Sequence, residues 1–81
     1  MKVQVQLFAG ARDRVGRSTV EVELHEEATV ADLRCSLARE YAELGDLLSR
    51  AMVAVDQEYA QDSHPLAASS EIAIIPPVSG G

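Results

Sequence analysis

Residues 71–81 read EIAIIPPVSGG, an apolar run that meets two prolines and then two glycines. The run from Ile72 to Ile75 has the length and the branched side chains of a buried strand. Pro76 and Pro77 end it, because proline lacks the N–H that a strand ladder requires. Their φ is held at about −65°, so the path beyond is expected to be extended, stiff and directed away from the sheet. Val78 then offers an apolar grip and Ser79 is small. Gly80 and Gly81 have no Cβ, so their backbone fits a channel too narrow for ordinary side chains. The stretch divides the chain into an expected folded domain, 1–76, and a flexible Gly-Gly tail, 77–81.

Working outward, the same logic finds the partners of that last strand. Val3, Val5 and Leu7 alternate with Lys2, Gln4 and Gln6, and Val20, Val22 and Leu24 alternate with Glu21 and Glu23. Both are the period-2 pattern of a strand burying one face. The intervening AGARDRVGRS has two glycines and little apolar content, so the two strands are expected to pair as a hairpin across a long loop. Thr29 stands three residues before Asp32 as a capping box, and Val30, Leu33, Leu37, Tyr41 and Leu44 follow at helical spacing, with Gly45 as the expected stop. MVAV at 52–55 reads as a short buried strand, and Tyr59 marks a second short one. The order β-β-α-β-(β)-β predicts an α+β fold, a mixed sheet with one main helix across it. Were the first and last strands central neighbours, this would be a β-grasp, or ubiquitin-like, fold; the pattern alone leaves the pairing open.

Composition narrows the function classes. At 81 residues the chain is one domain, since domains commonly run to about 100–150 residues. A domain this small leaves little room for an enclosed active site, which favours a carrier or partner over a self-sufficient enzyme. Its 47% hydrophobic and 25% charged residues suffice for a core. The net charge of −6 repels phosphate backbones and anionic lipid, so neither nucleic acid nor membrane is the expected partner. Cys35 is the one cysteine and has no intrachain partner, which points to a reducing compartment, and the N-terminus carries no leader-like apolar run; a cytoplasmic location is expected.

The tail suggests chemistry that another protein must start. A carboxylate is a poor electrophile until one oxygen becomes a leaving group, as in an acyl-adenylate made from ATP. Gly81 offers the least hindered such carboxylate. The competing reading is an inert terminus, because chain ends fray and are commonly rich in Gly and Ser.

Three stretches carry a family resemblance along essentially the whole chain: LFAGARDRVG near the start, ATVADL at the helix, and EIAIIPPVSGG at the end. They resemble the small subunit of molybdopterin synthase, the MoaD family of ubiquitin-like sulfur carriers. The resemblance implies that Gly81 is adenylated by an activating enzyme using ATP and Mg. It further implies conversion to a thiocarboxylate with a sulfur donor protein, and insertion of Pro77, Val78, Ser79, Gly80 and Gly81 into the large synthase subunit. There sulfur would pass to cyclic pyranopterin monophosphate in molybdenum cofactor biosynthesis, the synthase holding two copies of each subunit. This chain would be a sulfur-donating subunit rather than the catalyst, with no cofactor or metal of its own. A sulfur carrier for thiamine or another pathway would use the same tail, as would a ubiquitin-like modifier.

Strand parity adds an expected docking face. With Val3, Val5 and Leu7 inward, Phe8 points out; with Ile72 and Ile74 inward, Ile75 points out, and Tyr59 is a third member of the patch. Exposed apolar patches mark partners. The family's hydrophobic contact surface matches these positions, although Ile75 stands where an aromatic is usual. Arg12 matches the arginine of the family's opening motif and is a further contact residue, whereas Arg14 and Arg17 read as a solvated turn. Cys35 falls off the core stripe with nothing nearby to activate it. HEEAT at 25–29 lacks the second histidine of a zinc-protease motif, His64 with Asp62 gives too few ligands for a metal, and no phosphate-cradling loop is present.

Overall fold

The computed structural model describes residues 1–77. Five strands form one sheet: β1 (Lys2–Leu7), β2 (Thr19–Glu23), β3 (Met52–Val55), β4 (Glu58–Tyr59) and β5 (Ile72–Ile75), in the order β2-β1-β5-β3-β4. β1 runs antiparallel to β2 but parallel to β5, with Val5 opposite Ile72 and Leu7 opposite Ile74. β5 is antiparallel to β3, with Val53 opposite Ile74 and Val55 opposite Ile72. The first and last strands are therefore central neighbours, and the fold is a β-grasp.

Directly opposed residues share a face, so the register lines up two apolar rows on the inner side of the sheet. One runs Val20, Val5, Ile72, Val55 and the other Leu7, Ile74, Val53, all buried. Helix α2 (Val30–Glu40) closes this side with Val30, Leu33 and Leu37, each with no exposed surface. Burying a Val or Leu side chain stabilises by about 1.5–3 kcal/mol, so this layer dominates the fold's stability.

The start of α2 satisfies each of its first four N–H groups. Val30 donates to the His64 carbonyl (3.0 Å), Ala31 to that of Asp62 (3.0 Å) and Leu33 to that of Thr29 (3.0 Å). Asp32 donates to Thr29 Oγ1 (3.4 Å), and the Asp32 carboxylate accepts from the Thr29 N–H (2.9 Å), the reciprocal cap expected from sequence. Those contacts hold Asp32 below the usual carboxylate pKa range, the backbone N–H of Thr29 being the main cause.

Two expectations about helices fail. The stretch expected to be a loop between β1 and β2 contains α1 (Ala9–Val15), closed by Gly16 at φ 82°, whose N–H donates to the Arg12 carbonyl (2.8 Å). Only Ala11 of α1 is buried, which explains why no apolar stripe announced it. Gly45 does not stop a helix but begins one. α2 ends at Tyr41, a 3₁₀ turn spans Ala42–Leu44, and α3 (Gly45–Arg50) follows, because this path keeps Leu44, Leu47 and Leu48 in the core. Arg14 ties α1 to this segment through Asp46 (3.2 Å), and that contact lowers the Asp46 pKa.

The prolines also divide. Pro76 is buried and Pro77 exposed, so inward alternation through Ile72 and Ile74 continues one position past the ladder. Val78, Ser79, Gly80 and Gly81 lie outside the described residues.

Candidate docking site

Among the described residues, no helix packs over the outer side of the same sheet. Register again gives its rows: Tyr59, Ala54, Ala73 and Gln6 lie across β4, β3, β5 and β1, and Met52 lies opposite Ile75 in the next. Phe8 follows the Leu7–Ile74 pair by one residue, beside Ile75, and caps α1 in an extended conformation. Phe8 is 44%, Met52 47% and Tyr59 68% exposed, the three large apolar side chains that folding leaves most uncovered among the described residues.

Phe8, Tyr59 and Ile75 border one concavity of about 500 Å³, with Ala54 and Ala73 among its other walls. Three of the four expected contact residues are thus brought together. Arg12 is not among its lining residues: it is exposed one helical turn beyond Phe8, to whose carbonyl its N–H donates (3.4 Å). At the polar margin stand Gln6, Gln57 and Glu71. Gln57 is held there by the β3–β4 hairpin, where Asp56 (φ 52°) and Gln57 (φ 71°) are both left-handed, the signature of a two-residue type I′ turn. Asp56 is latched to the residue before β5: its N–H donates to the Glu71 carbonyl (2.8 Å), and its carboxylate accepts from the Glu71 N–H (2.9 Å).

Sequence reasoning missed Met52, Ala54 and Ala73. MVAV is a short buried strand at Val53, Ala54 and Val55, as expected, but Met52 is exposed, and parity counted from the inward Val53 and Val55 puts Met52 and Ala54 on the outer face. Cys35 is exposed and borders a smaller hollow of about 210 Å³ with Arg34, Ala38 and Leu48. Among the described residues, no group of three His, Cys, Asp or Glu side chains stands close enough to hold a metal ion, and no helix is long and apolar enough to cross a membrane. The arrangement is an exposed apolar surface that reaches the end of β5.

Comparison with known proteins covers the same span. The model of a family described as the ThiS family matches residues 5–81. A molybdopterin synthase sulfur carrier subunit of Caenorhabditis briggsae is 39% identical over 83 residues, covering 100% of this chain and 99% of that protein. The crystal structure of small archaeal modifier protein 1 from Haloferax volcanii has a TM-score of 0.85 at 31% identity, with both chains covered in full. In fold alone, the chain is also similar to a protein in the complex of subunits 1 and 2 of the molybdopterin-converting factor from Helicobacter pylori 26695 (TM-score 0.70, 22% identity, 100% of both chains).

Proposed function

This chain belongs to the ThiS family, and from that premise we propose that it is the sulfur carrier subunit of a molybdopterin synthase. The observation that carries the reading is full-length similarity to curated sulfur carrier subunits, joined to the PPVSGG sequence at 76–81.

In this mechanism the Gly81 carboxylate attacks the α-phosphorus of ATP on an activating enzyme, which supplies the nucleotide and Mg, and pyrophosphate leaves. A persulfide on the sulfur donor protein then attacks the acyl carbon and AMP departs; a thiol cleaves the resulting acyl disulfide by exchange, releasing the thiocarboxylate and leaving the donor sulfur and that thiol as a disulfide. The chain next docks on the large synthase subunit, where the thiocarboxylate sulfur attacks cyclic pyranopterin monophosphate and water cleaves the acyl–sulfur bond, leaving sulfur on the pterin and Gly81 as a carboxylate. Pro77, Val78, Ser79 and Gly80 thread the partner's channel, which two glycines keep narrow. Phe8, Tyr59 and Ile75 form the docking surface, and Arg12 flanks it. The chain holds no cofactor of its own, and the chemistry belongs to the assembly, two copies of each subunit. A single exposed thiol suits a reducing compartment, and the cytoplasm is the proposed location.

A second reading is favoured by the likeness to the Haloferax modifier protein: Gly81 joined to target lysines. One experiment separates them. The intact chain is incubated with ATP, the activating enzyme and a sulfur donor, and its mass is taken. Replacement of one oxygen by sulfur in the C-terminal peptide is expected. Covalent adducts that resist reducing agent would favour the modifier. Molybdopterin synthesis that survives deletion of Gly80 and Gly81 in a reconstituted assay would sink the carrier reading.

A further inference from the structure

Alanine is depleted in strands, and central strands commonly fill their exposed faces with branched or aromatic side chains. Here two alanines stand directly opposite each other at the middle of the outer face, Ala54 on β3 and Ala73 on β5. Large side chains border them: Tyr59 directly opposite Ala54, and Ile75 two residues along β5. Ala54 is only 7% exposed while Tyr59, directly opposite it, is 68% exposed, so Ala54 forms the floor of the concavity and Tyr59 part of its rim. A pair that breaks the local strand preference at the base of a hollow is the kind of inconsistency that folded chains keep for function.

The second observation is electrostatic. Glu71 is the one Asp, Glu, Lys or Arg among the described residues that line the concavity, and no Lys or Arg among the described residues forms an ion pair with it. Four of the seven Lys and Arg side chains meet acids elsewhere, Lys2 at Glu21, Arg14 and Arg50 at Asp46, Arg34 at Asp62, and among the described residues Arg12, Arg17 and Arg39 form no ion pair with Glu71 either. The Glu71 carbonyl accepts from the Asp56 N–H and the Glu71 N–H donates to the Asp56 carboxylate, which fixes where the Glu71 side chain leaves the chain.

We propose that the Ala54–Ala73 floor is the specificity-determining element of the docking surface: it receives one large apolar side chain from the protein partner, beside a Lys or Arg of that partner which meets Glu71. The inference rests on the carrier reading and deepens it, by giving the chemistry that a partner must present. Partners lacking an apolar side chain next to a cation are rejected, because they leave the hollow unfilled and Glu71 unmatched.

The test uses the full chain and the large synthase subunit, with affinity measured by calorimetry at low and high salt. Ala73→Leu fills the hollow and is expected to weaken binding at least about tenfold, as hot-spot positions do. Ala73→Val, a residue that strands favour, should do the same while melting no lower than the parent, which separates loss of fit from loss of fold. Glu71→Gln should weaken binding at low salt and flatten its salt dependence, and Glu71→Lys should weaken it further. Unchanged affinity for Ala73→Val, or for Glu71→Lys, overturns the inference. A parent chain captured by neither the large subunit nor the activating enzyme overturns instead the functional reading on which it rests.

Discussion

The two faces of β5 are built from nearly the same residues and do opposite work. Ile72 and Ile74 point inward and are buried at 2% and 0% exposure, on a strand paired with β1 on one side and β3 on the other. Ala73 and Ile75, one residue along, remain half-covered on a face that no helix crosses. A single residue of register decides whether an isoleucine is sealed in the core or left at the surface. The outer face is itself split. Across β1 and β2 it carries Lys2, Gln4, Glu21 and Glu23, a surface suited to water, whereas across β5, β3 and β4 it carries Ile75, Ala73, Met52, Ala54 and Tyr59. Apolar residues are thus withheld from half of one face and concentrated on the other half, which ordinary solvation does not require.

The sharpest way to break the comparison is to substitute neighbours. Ile74→Ala empties a site with no exposed surface and is expected to cost about 2–5 kcal/mol, read from the urea midpoint at unchanged slope. Ile75→Asp should leave that midpoint within about 0.5 kcal/mol, as surface changes do, while weakening capture by the large subunit at least about tenfold. If Ile75→Asp destabilised the fold as much as Ile74→Ala, the outer face would belong to the core and the division would fail.

Support for the inner face can be loosened without touching the outer one. Thr29→Ala removes one half of the α2 cap and should cost about 1 kcal/mol, with docking affinity unchanged. Asp32 adds a pH signature whose sign follows from its lowered pKa. Its contribution is present above the usual carboxylate value and is lost as pH falls through the lowered folded value. The stability difference between the parent and Asp32→Asn should therefore be largest near neutral pH and shrink in acid. A difference that grew in acid would mean that Asp32 is not the acceptor in that cap.

Much of this was legible in sequence because it rests on short-range rules. Alternation gave β1, β2 and the inward rows, the Thr29–Asp32 spacing gave the helix start, and parity placed Phe8 and Ile75 outward. What escaped has a physical reason too. α1 contributes one buried residue, Ala11, so seven helical residues left no stripe to detect. Gly45 looked like a stop because glycine commonly ends helices, but Leu47 and Leu48 beyond it still had to reach the core. The alanine floor was hidden because small residues carry no signal until pairing places Ala54 opposite Ala73.

The hairpin at the edge of the docking face gives the smallest test and the most local. Asp56 and Gln57 both take positive φ, a conformation that costs an L side chain about 1–2 kcal/mol and glycine almost nothing. Type I′ turns favour glycine at the second central position, so Gln57→Gly creates the Asp-Gly pair that the turn prefers. Set against the extra freedom that glycine gains in the unfolded chain, the net stabilisation should be about 0.5 kcal/mol, a rise of about 2–4 °C in Tm for a domain of this size. Asp56→Gly should move the other way despite the same backbone relief, because its carboxylate accepts the Glu71 N–H and that latch would be lost. Opposite signs at adjacent left-handed residues would show that Asp56 is kept for its side chain and Gln57 is not kept for stability. Gln57 borders the concavity, so its amide has a reason to remain only if the partner uses it, and Gln57→Gly should then gain stability while losing affinity.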